Sequence, residues 1–216
     1  MERSAIILAG GFSTRLGEDK GLIPLIDKPL IKYVLEAADG IVEEKIVVVH
    51  SKVQAEKFSK VLDVAAKIVV DKLDLQTPLA GAISGLTETK AEYALLLPCD
   101  TPFLSKDILA FLLDICVGRN AVVPRWPNGN IEPLHAVYNV KPALAAAYKA
   151  LEDKQLTMRA MIDRLRGVRY VSTLVLQQLD PKLDIFFNIN TPLDLKRAEN
   201  LMRQRRCENN EFCEKF

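Results

Sequence analysis

The chemistry in this chain is concentrated in a few short stretches, and the first of them is Leu8-Ala9-Gly10-Gly11-Phe12-Ser13-Thr14-Arg15-Leu16-Gly17-Glu18-Asp19-Lys20. Glycines at 10, 11 and 17 permit backbone conformations with positive φ and let N–H groups approach a ligand closely, while Arg15 and Lys20 place two fixed positive charges in the same loop. That combination makes a cradle for phosphate. It lacks the Gly-x-x-x-x-Gly-Lys-Ser/Thr order of a P-loop and the Gly-x-Gly-x-x-Gly order of a dinucleotide fingerprint. The competing interpretation is a tight strand-to-helix turn with two surface cations. A second stretch, Tyr93-Ala94-Leu95-Leu96-Leu97-Pro98-Cys99-Asp100-Thr101-Pro102, runs an apolar strand into an aspartate. A hard carboxylate beside a phosphate cradle suits Mg²⁺, which binds through one or two carboxylates, phosphate oxygens and water. Otherwise Asp100 is a helix cap or an Asx turn, wet at the mouth of a crevice.

Three further candidates are weaker. Asp71 ends the apolar run Lys67-Ile68-Val69-Val70 and is either a turn residue or a nucleotide contact. Pro78-Leu79-Ala80-Gly81-Ala82 offers small residues at a helix start, where a base or phosphate can pass close to backbone. Asn188 and Asn190, in Asn188-Ile189-Asn190-Thr191-Pro192, would share one face of a last strand, with Thr191 capping the closing helix.

Elements must hold these residues together, and the hydropathy pattern supplies them. Ser4 to Ala9, Lys45 to His50, Lys67 to Val70 and Tyr93 to Leu97 are strand-length runs, apolar on both faces as in a parallel sheet. Pro29 to Ala38, Lys52 to Asp63 and Leu79 to Thr87 read as helices between them, the first opened by its proline. Strand-helix alternation predicts an α/β fold with a mostly parallel sheet, and motifs at strand carboxyl ends then fall where such sheets bind ligands. Beyond Asp100, Ser105 to Cys116 is a helix and Asn120 to Pro124 a strand. Pro127-Asn128-Gly129-Asn130 is turn chemistry between Val122 and Val137, which predicts a hairpin with one antiparallel strand. Lys141 to Asp153 and Thr157 to Leu165 are helical, Arg169 to Ser172 and Ile185 to Phe187 strand-like, and Thr191 to about Arg206 is a closing helix with Pro192 in its first turn. Residues 1 to 204 form one domain on this reading, and 205 to 216 a loosely ordered polar tail.

Composition narrows the function classes. The 216 residues carry 29 Lys plus Arg against 28 Asp plus Glu, a net charge of +1, so no global positive field draws in a nucleic acid. No apolar run approaches the roughly 20 residues of a membrane span, and the N-terminus does not read as a targeting peptide; a cytoplasmic protein is expected. Cys99, Cys116, Cys207 and Cys213 lack the paired spacing of a zinc or redox site; the first two read as buried apolar residues.

Taken together, the Gly-Gly-x-Ser-x-Arg-x-Gly-x-Asp-Lys loop, Pro78-Leu79-Ala80-Gly81, Pro98-Cys99-Asp100-Thr101-Pro102 and Asn188-Ile189-Asn190-Thr191-Pro192 resemble the molybdenum cofactor guanylyltransferase family, in the family's order and from Ile6 to about Leu201. The resemblance implies a Rossmann-like three-layer sandwich and transfer of GMP from GTP to the phosphate of molybdenum-bearing molybdopterin, handed over by other cofactor-biosynthesis proteins. It implies that Leu8, Ala9, Gly10 and Gly11 contact the nucleotide with Asp71, that Lys20 and Arg15 hold phosphates, that Asp100 holds Mg²⁺, and that Asn188, Asn190 and His135 face the acceptor. His135 is otherwise a structural histidine beside a strand. Leu16 stands where the family often has methionine, and Val49-His50-Ser51 lacks an asparagine expected to read the base. Rival readings are a sister transferase acting on cobinamide phosphate or a sugar phosphate, one using CTP, and a non-catalytic nucleotide-binding regulator. Catalysis by phosphate transfer needs no strong base, since a phosphate oxygen is already an anion; positioning and charge stabilisation carry it.

Overall fold

A computed structural model describes residues 2–13, 18–62, 66–73 and 75–213 of the chain. Seven strands form its main sheet: β1 (Arg3–Leu8), β2 (Glu44–Val49), β3 (Lys67–Val70), β4 (Tyr93–Pro98), β5 (Ala121–Arg125), β6 (Ala136–Asn139) and β7 (Val168–Ser172). Their order across the sheet is β7-β5-β6-β4-β1-β2-β3, with β6 alone antiparallel to its neighbours β4 and β5. The turn residues that predict a hairpin do bring Val122 opposite Val137.

Helices cover both faces, as parallel strands require. Side chains alternate along each strand. Ala5 and Ile7 of β1, Val47 and Val49 of β2, and Leu95 and Leu97 of β4 face one core with α1 (Leu30–Ala38), α2 (Lys52–Ser59) and α4 (Lys106–Ile115). Ile6, Ile46, Val48, Ala94 and Leu96 face the other, with α3 (Pro78–Glu88), α5 (Val140–Glu152) and α6 (Met158–Asp163). A β-carbon at Gly85 of α3 would lie 2.3 Å from Ile6 Cγ2, so glycine is what lets this helix settle onto β1. Capping agrees with the sequence at several helix starts: Ser51, Thr77, Ser105 and Thr157 each accept an N–H from the first turn.

Three expectations need correction. Pro29 does not open α1 from inside; it is an extended N-cap, paired with Pro24 in a small ribbon of Pro24–Leu25 against Lys28–Pro29. Ile185 to Phe187 is not a strand: Asp184–Phe186 is a 3₁₀ turn, entered through Leu183 at φ 53°. A left-handed leucine leaves no glycine or asparagine signal in the sequence, and three apolar residues fit either conformation. Finally α8 (Pro192–Cys213), after α7 (Thr173–Leu176), is helical well into the stretch read as a loose tail.

Candidate active site

The carboxyl ends of β1, β2, β3 and β4 open into one cavity of about 780 Å³. Gly10, Gly11, Asp19 and Lys20 form one wall; His50, Ser51, Gln54 and Lys57 follow from β2 and α2. Asp71, Gln76, Pro78 and Gly81 come from the connection after β3 and the start of α3, and Pro98 to Asp100 from the end of β4. Gly10 lies so close to β2 that an added β-carbon would sit 3.3 Å from the His50 nitrogen.

Lys20 is the meeting point. Its Nζ donates to Asp100 Oδ2 at 2.9 Å and to Asn190 Oδ1 at 2.5 Å, joining residues 80 and 170 positions away in the chain. Asp100 is 6% exposed, contrary to the expectation of a wet carboxylate; the end of β4 and the lysine enclose it. The Asp100 carbonyl accepts the Ile189 N–H at 3.0 Å, which fixes the asparagine segment beside it. Ile189 anchors that segment from below, fully buried with Ile23, Leu25, Leu30, Phe103 and Ala198. Thr191 caps α8, donating its hydroxyl to Asp194 and accepting the Asp194 N–H at 3.1 Å. Asp194 also takes the backbone N–H groups of Asn190 and Thr191. These hydrogen bonds, led by the Thr191 hydroxyl, hold its carboxyl below the usual carboxylate range. The cap thus serves the site as well as the helix.

Other expected residues are placed less directly. Leu8 lines the cavity, packed near Gly81, whereas Ala9 is fully buried and its N–H pairs with the Val48 carbonyl at 2.7 Å. Asp71 faces the cavity, and its Oδ1 accepts the Leu73 N–H at 3.0 Å and the Ser84 hydroxyl at 2.7 Å, which holds the turn at the rim. Asn188 is exposed and donates to the Phe186 carbonyl at 3.1 Å, apart from Lys20. Arg15 lies outside the described residues.

His135 is 2% exposed, and no described residue hydrogen bonds either ring nitrogen. Its ring meets Phe186 edge-on at 5.1 Å, and Phe186 meets Trp126 at 5.5 Å. Burial pushes its pKa down to about 3, opposed to a smaller extent by the Ile185 backbone. The ring is neutral at pH 7, and Leu134, not His135, reaches the cavity. Cys99 and Cys116 are buried with their thiols pushed up by desolvation, Cys116 to about 12, consistent with inert apolar roles.

Residues that no motif announced complete the wall. Gln54 and Lys57, a turn apart on α2, both reach the Asp19 carboxylate, at 2.7 and 2.9 Å. His50 Nε2 lies 3.3 Å from Gln76 Nε2 at the opposite side of the opening. The available signal was the spacing of polar residues just after a strand end, where α/β sheets put their ligands. No helix among the described residues is long and apolar enough to cross a membrane.

Comparison with known proteins places this arrangement. A model of the MobA-like NTP transferase domain matches residues 5–168. A probable molybdenum cofactor guanylyltransferase of Methanosarcina mazei is 35% identical over 199 residues, covering 90% of this chain and 88% of that protein. One from Methanothermobacter thermautotrophicus is 32% identical over 199 residues, covering 89% and 97%. The crystal structure of molybdopterin-guanine dinucleotide biosynthesis protein A from Archaeoglobus fulgidus superposes with a TM-score of 0.79 at 29% identity, covering 93% of this chain and 99% of that one. With the matched domain spanning the cradle, the aspartate at the end of β4 and the antiparallel strand between them and β5, the chain belongs to the MobA-like NTP transferase family and is a nucleotidyltransferase.

Proposed function

We propose that this nucleotidyltransferase moves GMP from GTP to the terminal phosphate of molybdopterin carrying molybdenum, forming the guanine dinucleotide cofactor and pyrophosphate. The observation that carries the reading is the convergence of Lys20, Asp100 and Asn190 at the carboxyl ends of β1 and β4, beside the Gly10-Gly11 backbone. A phosphate oxygen of the acceptor forms a bond to the α-phosphorus of GTP, the bond from that phosphorus to the bridging oxygen breaks, and pyrophosphate leaves with the electron pair. No proton need be removed from the nucleophile. The task is to bring two anions together and stabilise the charge that grows on the leaving group.

Lys20 does this at Nζ, exchanging its contacts with Asp100 and Asn190 for phosphate oxygens. The glycine backbone N–H groups add fixed dipoles. Among the described residues no group of three or more His, Cys, Asp or Glu converges as a metal cage. A single enclosed carboxylate fits Mg²⁺ that arrives with a nucleotide, because this ion keeps water and phosphate oxygens as most of its ligands. Asp100 would hold it, and the ion supplies neutralising charge on the phosphates. His50 and Gln76 stand at the opening where the base would be read, His50 taking the place of the missing asparagine. Asn190 and Asn188 lie at the acceptor end, with the aromatic group of Trp126, His135 and Phe186 behind them. We place the reaction in the cytoplasm, with the acceptor delivered by other proteins of cofactor biosynthesis.

A thermal-shift panel of GTP, CTP, ATP and UTP, each with Mg²⁺, tests the nucleotide. A ligand at 100 times its Kd stabilises by about 2.7 kcal/mol, which for a chain of this size raises Tm by about 5 to 10 °C. GTP should give the largest rise. An equal or larger response to CTP overturns the guanine assignment.

A further inference from the structure

Lys20 has a long side chain, and what fixes its origin lies behind it, in a cluster built around Asp19. Asp19 is 3% exposed, and a carboxylate so enclosed needs partners. Among the described residues it has two, both from α2: the Gln54 amide, Nε2 to Oδ1 at 2.7 Å, and the Lys57 ammonium, Nζ to Oδ2 at 2.9 Å. Lys57 is half exposed, so water competes for that contact; Gln54 is 8% exposed and does not share its amide with solvent. The same amide ties two more parts of the wall. Its Oε1 accepts the His50 N–H at 2.7 Å, and its Nε2 lies 3.5 Å from the Gly10 carbonyl.

The backbone then converts this grip into a direction. Asp19 is extended, at φ −65° and ψ 121°, and in an extended chain successive side chains project to opposite sides. With Asp19 drawn toward α2 and Lys20 opening the 3₁₀ turn Lys20–Leu22, the Lys20 side chain runs instead to Asp100 and Asn190. Lys20 N–H also donates to the Gly11 carbonyl at 3.2 Å, which holds the two arms of the loop together.

We propose that Gln54 is the positioning residue for Lys20, acting through Asp19 and never on the substrate itself. This rests on the transferase reading, in which Lys20 stabilises the charge on the phosphates. Misplacement of a catalytic group by about 1 Å costs up to about 10²-fold in rate, so a loosened Asp19 is expected to show in turnover.

The experiment measures pyrophosphate release from GTP with molybdopterin as acceptor, alongside Tm, in the full chain. Gln54→Ala should lower kcat by about tenfold or more and leave KM for the acceptor unchanged. In a Lys20→Ala background the same substitution should add nothing, because its effect runs through that lysine. Gln54→Glu alone sets two carboxylates against each other and should be slower still. Combined with Asp19→Asn, it restores a donor opposite an acceptor and keeps an oxygen for the His50 N–H, so kcat should recover to near that of the wild-type chain. A folded Gln54→Ala with wild-type kcat, losses that multiply in the Lys20→Ala background, or a double variant as slow as Gln54→Glu would each overturn the assignment. Absence of GMP transfer by the wild-type chain would instead overturn the transferase reading.

Discussion

At the glycine end of the cavity, Asp19, Lys20, Asp71 and Asp100 each hold a polar partner, whereas around His135 the neighbours are rings and two buried nitrogens go without. Both regions sit at the same edge of one sheet, so the contrast does not come from the fold. It comes from the loops. Those after β1 and β4 carry charge, and those after β5 and before α8 carry Trp126 and Phe186. The lesson is that charge is pre-arranged only where it has work to do. Lys20 and Asp100 neutralise each other at 2.9 Å, and on the proposed reading phosphates and a cation would take over these two contacts. The His135 ring stays uncharged, while the nearby Glu132 carboxylate accepts the Trp126 indole N–H at 2.7 Å.

The largest break in this contrast should come from Asp100→Asn. The amide keeps an oxygen for Lys20, so Tm should fall by only a few degrees. Turnover should fall by on the order of 10³-fold, because the charge that a hard cation needs is gone. Pyrophosphate release and the unfolding midpoint, measured on the same preparation, decide it: a variant that melts early but keeps its specific activity makes Asp100 a structural residue. Lys20→Ala comes next. It removes one electrostatic stabiliser and should cost on the order of 10²-fold in turnover while the protein still folds. Full activity in the folded variant would return Lys20 to an ordinary ion pair.

The same contrast explains what the sequence discloses. Gly10, Gly11, Lys20 and Asp100 lie in contiguous motifs directly after apolar runs, so their place at strand ends is visible without coordinates. The α/β order is visible for a similar reason: the last four residues of β1 and of β2, and all of β4, are apolar, as doubly covered strands are. The antiparallel β6 is announced by its turn. Gln54 is invisible, since an isolated glutamine in an amphipathic helix reads as surface until α2 is placed behind the loop. Ala9 shows the limit of reading by position. It belongs to the motif by position, but the alternation of side chains and its pairing with Val48 bury it. At the aromatic end, the 3₁₀ turn at Asp184–Phe186 depends on a left-handed leucine that no propensity would choose. Tertiary packing around Ile185 and Ile189, both fully buried, holds it.

His135→Leu probes the aromatic end and should have the smallest effect on catalysis, leaving the thermal response to GTP as it is in the parent chain. Its signature is in acid stability. The imidazole titrates at about 3 in the fold against an ordinary 6.5, so below pH 6.5 the unfolded chain binds the proton that the folded chain refuses. Stability therefore falls as pH drops from about 6.5 toward 3, by about 1.4 kcal/mol per pH unit from this group alone. Between pH 7.5 and 5.0 that amounts to about 2 kcal/mol, or about 4 to 8 °C in Tm for a chain of this size. The figure at pH 5 changes little with the folded value so long as that value stays well below 5. Leucine cannot take the proton, so Tm of His135→Leu relative to wild type should rise by that amount between pH 7.5 and pH 5.0, with the carboxylates common to both chains cancelling in the difference. At pH 7.5 the two should be closely matched, since the branched side chain fits a site shaped for a flat ring less well but also removes two buried nitrogens without partners. A Tm difference that does not change with pH would mean that the ring carries its proton in the fold.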